Sequence, residues 1–218
     1  MPRHRRPPNF DDIVRQLKRR RMYLRAGAAG VVLVLLLTVL GWLGVFGHPG
    51  DDWKDLDQQT VLVTRVIDGD TVVVVPKNGG QEETVRLLGI DAPELRSKGG
   101  TPEHWSKQAT DYLIERAEGK VLILKLGPTQ TRDRWRRLLG YLYVDDAINL
   151  NLDMVRDGQV YAHRVYKHTR KAEFEQAENE ARKKKRGLWK DVKGDQMPVW
   201  RQRWLADREV RNESGVGN

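Results

Sequence analysis

The chain has 218 residues, enough for one ordinary domain with appendages, and it has no cysteine; a disulfide framework and a thiolate metal site are therefore excluded. Its net charge of +9 is unevenly spread: residues 1–25 hold nine Lys or Arg against Asp11 and Asp12, a surplus of +7, which leaves only +2 for the remaining 193 residues. Any nucleic-acid contact made by the rest of the chain must come from local patches and not from bulk charge.

After this basic tail, Ala26 to Gly47 forms an uncharged run of 22 residues. As a helix it is long enough to cross a hydrocarbon layer of roughly 30 Å. Trp42 stands toward one end, where an interfacial aromatic is favoured. The basic tail precedes the run, and Asp51, Asp52, Asp55 and Asp57 follow it, so the positive-inside rule puts the N-terminus in the cytoplasm and the remainder outside. The run exceeds the apolar region of a signal peptide, and the Gly47 region is a poor cleavage site; residues 26–47 are read as an uncleaved single-pass signal-anchor. Residues 48–59 read as a linker, residues 60–190 as one compact domain, and residues 191–218 as a polar C-terminal tail. In that tail Trp200 and Trp204 are flanked by arginines. Whether it packs on the domain, touches headgroups or stays disordered is left open at this level.

Within the domain, Val61–Ile67 is rich in β-formers and ends at Asp68-Gly69-Asp70; Thr71–Val75 follows at once, so the two read as a hairpin or bulged pair. Thr84–Ile90, Val121–Leu126 and Leu138–Val144 supply a third, fourth and fifth strand. A first helix is expected with Thr101 as its cap, Pro102 in its first turn and Gly119 at its end. Trp105, Ala109, Tyr112 and Leu113 form its apolar stripe. Asn151 is expected to cap a short second helix that stops at Gly158. A third runs from about Lys171 to Arg186, with acids early and bases late, as the helix dipole favours. Its basic end is read as a solvated helix terminus. The fold class expected is α+β, a five-stranded OB-type barrel with three helices, preceded by one transmembrane helix. Barrels of this kind bind oligonucleotides, although architecture alone does not establish function.

Two segments carry the chemistry: Ile67-Asp68-Gly69-Asp70-Thr71 and Arg86-Leu87-Leu88-Gly89-Ile90-Asp91-Ala92-Pro93-Glu94. Taken singly, each could be an ordinary turn or loop. Together they offer four carboxylates and a guanidinium, a set suited to holding a hard divalent cation beside a phosphodiester. Asp70 and Asp91 are candidate cation ligands. Glu94, three residues past Asp91 across a rigid proline, is a candidate base for the attacking water. Arg86 alternates with Leu87 along its strand and can reach a phosphate. A second arginine is sought in Thr131–Leu138, where Arg137, at the start of the fifth strand, is preferred over Arg134 and Arg136. Competing chemistries find no support. The five histidines form no paired motif and read as single exposed residues, Ser97 and Ser106 lack a nucleophile-elbow context, and there is no P-loop.

These residues resemble the staphylococcal nuclease (thermonuclease) family over about residues 60–190. The likeness rests on VIDGDTV, VRLLGIDAPE, RDRWRRLLGYLY, NLDMVRDGQV and KKRGLW. The resemblance implies an OB-type barrel with three helices and Ca²⁺-dependent hydrolysis of DNA and RNA. It also implies that Asp70, Asp91 and the backbone carbonyl of Ala92 hold Ca²⁺, that Glu94 is the catalytic glutamate, and that Arg86 and Arg137 bind phosphate. Asp68 lies behind the cation ligands and supports them. Arg134, Trp135 and Tyr166 fall at the nucleotide site. Three departures from the family pattern stand out. Trp135 replaces a usual tyrosine. Arg136 replaces a glycine whose backbone shape arginine resists. Arg164 replaces a second nucleotide-site tyrosine, where it could strengthen phosphate contact.

The expected function is a membrane-anchored, Ca²⁺-dependent nuclease acting on DNA, RNA or both, single-pass, with its domain extracytoplasmic. No protein partner is identifiable from the sequence. The alternative is a non-catalytic nucleic-acid- or protein-binding module of the same fold.

Overall fold

The computed structural model describes residues 30–31, 34–36, 38, 52–96, 100–165 and 168–213. The chain divides into two units, Met1–Gly50 and Asp51–Asn218. In the first unit the described residues are helical and exposed. The predicted basic tail, 1–25, and most of the predicted span, 26–47, lie outside the described residues. Among the described residues no helix is long and apolar enough to cross a membrane.

The second unit is α+β. Strands β1 (Gln59–Asp68), β2 (Thr71–Pro76) and β3 (Glu83–Leu87) form an antiparallel meander. Strand β5 (Val121–Leu126) pairs with β1, and β6 (Leu138–Val144) with β5, both antiparallel. A parallel pairing of β3 with β6, Val85 opposite Leu138, then closes five strands into a barrel. Alternation along β1 sends Val61 and Val63 inward. A register shift between Val63 and Arg65 moves the next inward residue to Val66, as a bulge does when it adds one residue to a strand. Strand β2 is buried along nearly its whole length, which explains its unbroken valine run, since both of its faces are covered.

The predicted third strand is shorter than expected. It ends at Leu87, because Gly89 takes a left-handed φ of 80°, and the chain turns before β4 (Ile90–Asp91). Strand β4 pairs instead with β8 (Tyr161–Ala162) in a small second sheet. A side chain at Gly89 would meet His168 and Phe174 at 2.8 and 2.9 Å, so the turn depends on glycine for both shape and space. A short β7 (Ile148–Asn149) adds to the edge of β6.

Among the described residues, five α-helices of this unit surround the barrel. Helix α1 (Asp52–Leu56) lies within the segment read as a linker. Helix α2 (Ser106–Ala117) begins later than expected. Its N-cap is Trp105, not Thr101. Trp105 sits at φ 72°, with its indole donating to Gln159 Oε1 at 2.9 Å. Helix α3 (Leu150–Arg156) is capped by Asn149, whose side chain accepts from the Leu152 N–H. Asn151, the expected cap, is instead wholly buried. It accepts from the Leu142 N–H and donates to the Leu88 and Gly140 carbonyls, tying α3 to the barrel. Helix α4 (Lys171–Lys183) ends three residues short of the predicted Arg186, where Lys185 turns left-handed at φ 49°. Two short 3₁₀ turns, Gly187–Lys190 and Gly194–Gln196, lead to α5 (Val199–Glu213). The core fills the barrel with Val61, Val74, Leu87 and Leu124, and extends under the helices through Leu113 and Phe174.

The C-terminal segment is docked on the domain. Arg201 of α5 is completely buried and bidentate to Glu178 of α4, at 2.7 and 2.9 Å. Glu178 also accepts from Arg164 at 2.6 Å and from the Ala162 N–H at 2.9 Å. Burial raises the Glu178 pKa, but Arg201 and Arg164 outweigh it and hold the carboxyl below its usual range. A buried carboxylate is tolerated only when paired in this way.

Candidate active site

The tight turn between β1 and β2 positions the first carboxylate. Asp68 Oδ1 accepts the Asp70 N–H at 3.0 Å, an Asx turn that fixes the loop. A Cβ on Gly69 would lie 2.7 Å from Ala92 Cβ and 2.9 Å from Ala109 Cβ. The turn is thus pressed onto α2 and onto the segment after β4, and Asp70 is driven inward. Its carboxylate accepts from the Thr71 hydroxyl at 3.0 Å and from the Ala92 N–H at 2.7 Å.

The β2–β3 register brings Arg86 alongside, since Thr71 pairs with Arg86 and the Leu87 N–H reaches the Asp70 carbonyl at 2.8 Å. One guanidinium nitrogen of Arg86 lies 2.7 Å from Asp70 Oδ2, and the other 2.9 Å from Asp91 Oδ1. Arg86 also donates to the Ile90 carbonyl at 3.2 Å. The two predicted cation-binding aspartates therefore converge on one predicted phosphate-binding arginine. Burial pushes Asp70 well above the usual carboxylate range, with Arg86 opposing and Asp68 and Asp91 reinforcing the shift. Asp91 is raised by burial in the same way, against Arg86 and a hydrogen bond from Trp200. Arg86 is raised because the surrounding acids outweigh its own desolvation.

Glu94 lies on an exposed stretch just past buried Pro93. Its N–H donates to Glu103 Oε2 at 3.0 Å, and its carbonyl accepts the Glu103 N–H at 2.9 Å. Partial burial of the carboxyl, then repulsion from Asp68, Asp91 and Glu103, raises the Glu94 pKa. A glutamate with a raised pKa at the mouth of an acidic site is suited to proton transfer.

The second arginine comes from the loop before β6. Asp133 organises that loop, accepting from the Trp135 and Arg137 N–H groups with one oxygen and from Arg137 Nε at 2.7 Å with the other. Arg136 adopts φ 67°, the left-handed shape that suits the glycine it replaces. Arg132 supports it by donating to the Arg136 carbonyl at 2.9 Å while clamped between Asp52 and Glu83 at 2.8–3.0 Å. Arg86, Arg134, Trp135 and Arg137 line one cleft of about 550 Å³. Trp135 is 61% exposed, and the Arg134 guanidinium stacks on its ring at 3.9 Å. Such an indole is open to base stacking.

Several expectations need correction. Arg164 does not face a phosphate; it is buried on Glu178 and stacks on Trp204 at 4.6 Å. His163 is not an exposed histidine. It is buried, stacks on Trp200 at 4.6 Å, and is pushed down to about 4 by burial and then by nearby cations. His168 is half-buried against Tyr141 Oη at 3.1 Å, and His104 is half-buried beside Asp191. Tyr166 lies outside the described residues. Sequence reasoning missed Arg132, Asp133 and Trp200. The only signal for Trp200 is its place beside an arginine in an otherwise polar tail.

Among the described residues no group of three or more side chains is arranged to hold a metal ion. The donor chemistry nonetheless fits a hard cation. Asp68, Asp70, Asp91 and Glu94 all act on a single arginine, and burial raises the pKa of both Asp70 and Asp91 against that arginine. Asp70, Asp91 and the Ala92 carbonyl are the oxygen donors that such a cation would require.

A family model described as "Staphylococcal nuclease homologue" matches residues 84–191. An uncharacterized endonuclease of Escherichia coli O157:H7 is 36% identical over 138 residues, covering 63% of this chain and 80% of that protein. A micrococcal nuclease of Shigella flexneri is 31% identical, covering 82% and 91% respectively. A thermonuclease of Staphylococcus intermedius is 28% identical, covering 72% and 90%.

Proposed function

The chain belongs to the staphylococcal nuclease family, and from that membership we propose that it hydrolyses phosphodiester bonds of DNA, RNA or both in a Ca²⁺-dependent reaction. The observation that carries the reading is Arg86, which holds Asp70 and Asp91 with its two terminal nitrogens and lines the same cleft as Arg137. Asp70, Asp91 and the Ala92 carbonyl are the groups that would hold the cation. When bound, the cation would supply positive charge next to the phosphoryl oxygens and would make water easier to deprotonate. Arg86 and Arg137 bind the non-bridging oxygens, where planar guanidiniums make paired contacts that strengthen as charge builds. Glu94 accepts the proton of the attacking water. Trp135 and Arg134 hold the nucleotide by stacking and charge.

The membrane setting belongs to the same proposal. The uncharged stretch 26–47, preceded by a surplus of seven positive charges, supports a single-pass anchor with the catalytic unit on the extracytoplasmic side. Fractionation of cells and protease treatment of intact cells test this. Recovery of the chain in the soluble fraction overturns it.

The activity is tested by incubating the full chain with DNA and with RNA, with Ca²⁺ or with a chelator. Cleavage that needs the cation and falls by about 10²-fold or more in Glu94→Gln is expected. Binding without cleavage, or cleavage indifferent to Glu94→Gln, would mean that the protein is instead a binding module.

A further inference from the structure

The nuclease reading uses neither of two features of the C-terminal segment. The Trp200 indole N–H donates to Asp91 Oδ2 at 2.7 Å, and the next residue, Arg201, is the completely buried partner of Glu178. Trp200 and Arg201 themselves lie beyond the stretch that matches the family model, whereas their partners Asp91 and Glu178 lie within it. We propose that Trp200 is a positioning residue for the cation-binding carboxylate, held in place by the buried Arg201–Glu178 pair.

Each oxygen of Asp91 has a different partner. Oδ1 meets the Arg86 guanidinium at 2.9 Å, whereas Oδ2 meets the indole. The indole is fixed on two sides. His163 stacks on it, with ring centroids 4.6 Å apart. Its backbone is fixed by Arg201, whose guanidinium also lies 5.2 Å from the Tyr161 ring and 4.9 Å from the Trp189 ring. Glu178 links this strap to the aspartate by a second route. It accepts the Ala162 N–H, and Tyr161 and Ala162 form β8, which pairs with Asp91 and Ile90 of β4. One buried carboxylate therefore anchors both the strand bearing the ligand and the helix bearing the ligand's hydrogen-bond donor. A neutral N–H suits this task, because it fixes the carboxylate rotamer through Oδ2 without adding charge, so that Oδ1, on the Arg86 side, is the oxygen a bound cation would share with the guanidinium. Donors that orient a ligating group in this way commonly matter about 10-fold or more to metal affinity.

The inference rests on the Ca²⁺-dependent reading, and calorimetric titration of the full chain with Ca²⁺ in mild detergent separates the two. Trp200→Phe keeps a ring against His163 and removes the N–H. Trp200→His puts a ring nitrogen at the equivalent place, two bonds from Cγ. Trp200→Phe is expected to weaken Ca²⁺ binding about 5- to 10-fold, Trp200→His to recover most of that loss, and both to melt close to wild type in chelator. Equal affinity in wild type and Trp200→Phe overturns the inference. So does equal weakening in Trp200→Phe and Trp200→His, or a lowered melting temperature in chelator with affinity intact; either would make the residue a packing element only. A wild-type chain that takes up no Ca²⁺ overturns the cation-dependent reading and this inference with it.

Discussion

The buried Arg201–Glu178 pair offers the sharpest test of what holds the C-terminal helix in place. Arg201→Met keeps much of the aliphatic volume and removes the guanidinium. Glu178 then loses two hydrogen bonds, of 2.7 and 2.9 Å, at a site where neither residue has any exposed surface. It retains Arg164 at 2.6 Å and the Ala162 N–H at 2.9 Å, so the charge is under-compensated but not abandoned. Breaking a buried pair from one side typically costs about 3–5 kcal/mol, and the surviving contacts argue for the lower half, about 3 kcal/mol. An exposed pair such as Lys107–Asp111 is worth about 0.5 kcal/mol or less by comparison. The pH dependence identifies the cause. In the wild type the Glu178 carboxyl is held below the ordinary glutamate value of 4.5, so its stabilising contribution is present above that pH and fades as pH falls through the lowered folded value. Arg201→Met removes the main cause of that lowering. Its deficit should be largest near neutrality and shrink in acid, where protonation relieves the buried charge. Urea unfolding followed by circular dichroism at pH 7 and pH 4 measures this. A deficit below about 1 kcal/mol, or one unchanged between the two pH values, would refute the charge-pair account and leave only packing.

Three further outcomes follow from the geometry. Arg136→Gly should raise stability by about 0.5–1 kcal/mol, the cost of a left-handed arginine less the extra freedom of glycine in the unfolded chain; a lower urea midpoint would show that the φ of 67° carries no strain. Gly69→Ala should cost about 1–3 kcal/mol and depress nuclease activity, because its Cβ has no room against Ala92 and Ala109; wild-type melting and turnover would contradict the close approach. Folded His163 titrates near 4, against 6.5 in a free chain, so the folded state resists a proton that the unfolded state accepts. Its contribution is complete above about pH 6.5 and is lost as pH falls toward 4, by up to about 3 kcal/mol. The stability of wild type relative to His163→Phe should fall as pH is lowered across that window, and parallel curves would show that the ring is accessible to protons.

The barrel is legible in the sequence where periodicity is strong. Strands β1, β2, β5 and β6 are runs rich in β-branched, aliphatic or aromatic residues, and the stripe through Ala109 and Leu113 marks α2. Asp70, Arg86 and Asp91 are legible as a set because they flank such runs. Other features depend on partners far along the chain. Asn149 and Asn151 are equally good caps by local chemistry, and the buried contacts of Asn151 with Leu88, Gly140 and Leu142 decide between them. Arg132 and Asp52 are separated by 80 residues, so a segment read as linker proves to brace the loop before β6. Arg164, Arg201 and His163 carry polar side chains that composition assigns to the surface, and each is buried by a contact that no local pattern encodes.

The β3–β6 pairing has a consequence for the order of assembly. It joins residues 53 positions apart, Val85 to Leu138, and it is the one parallel seam among the barrel strands described. Loop closure of that length is slow compared with the hairpins that precede it. Arg86 and Arg137 each stand one residue from that Val85–Leu138 contact, on opposite sides of it. A half-assembled chain, with its hairpins formed and this join still open, keeps its two guanidiniums apart.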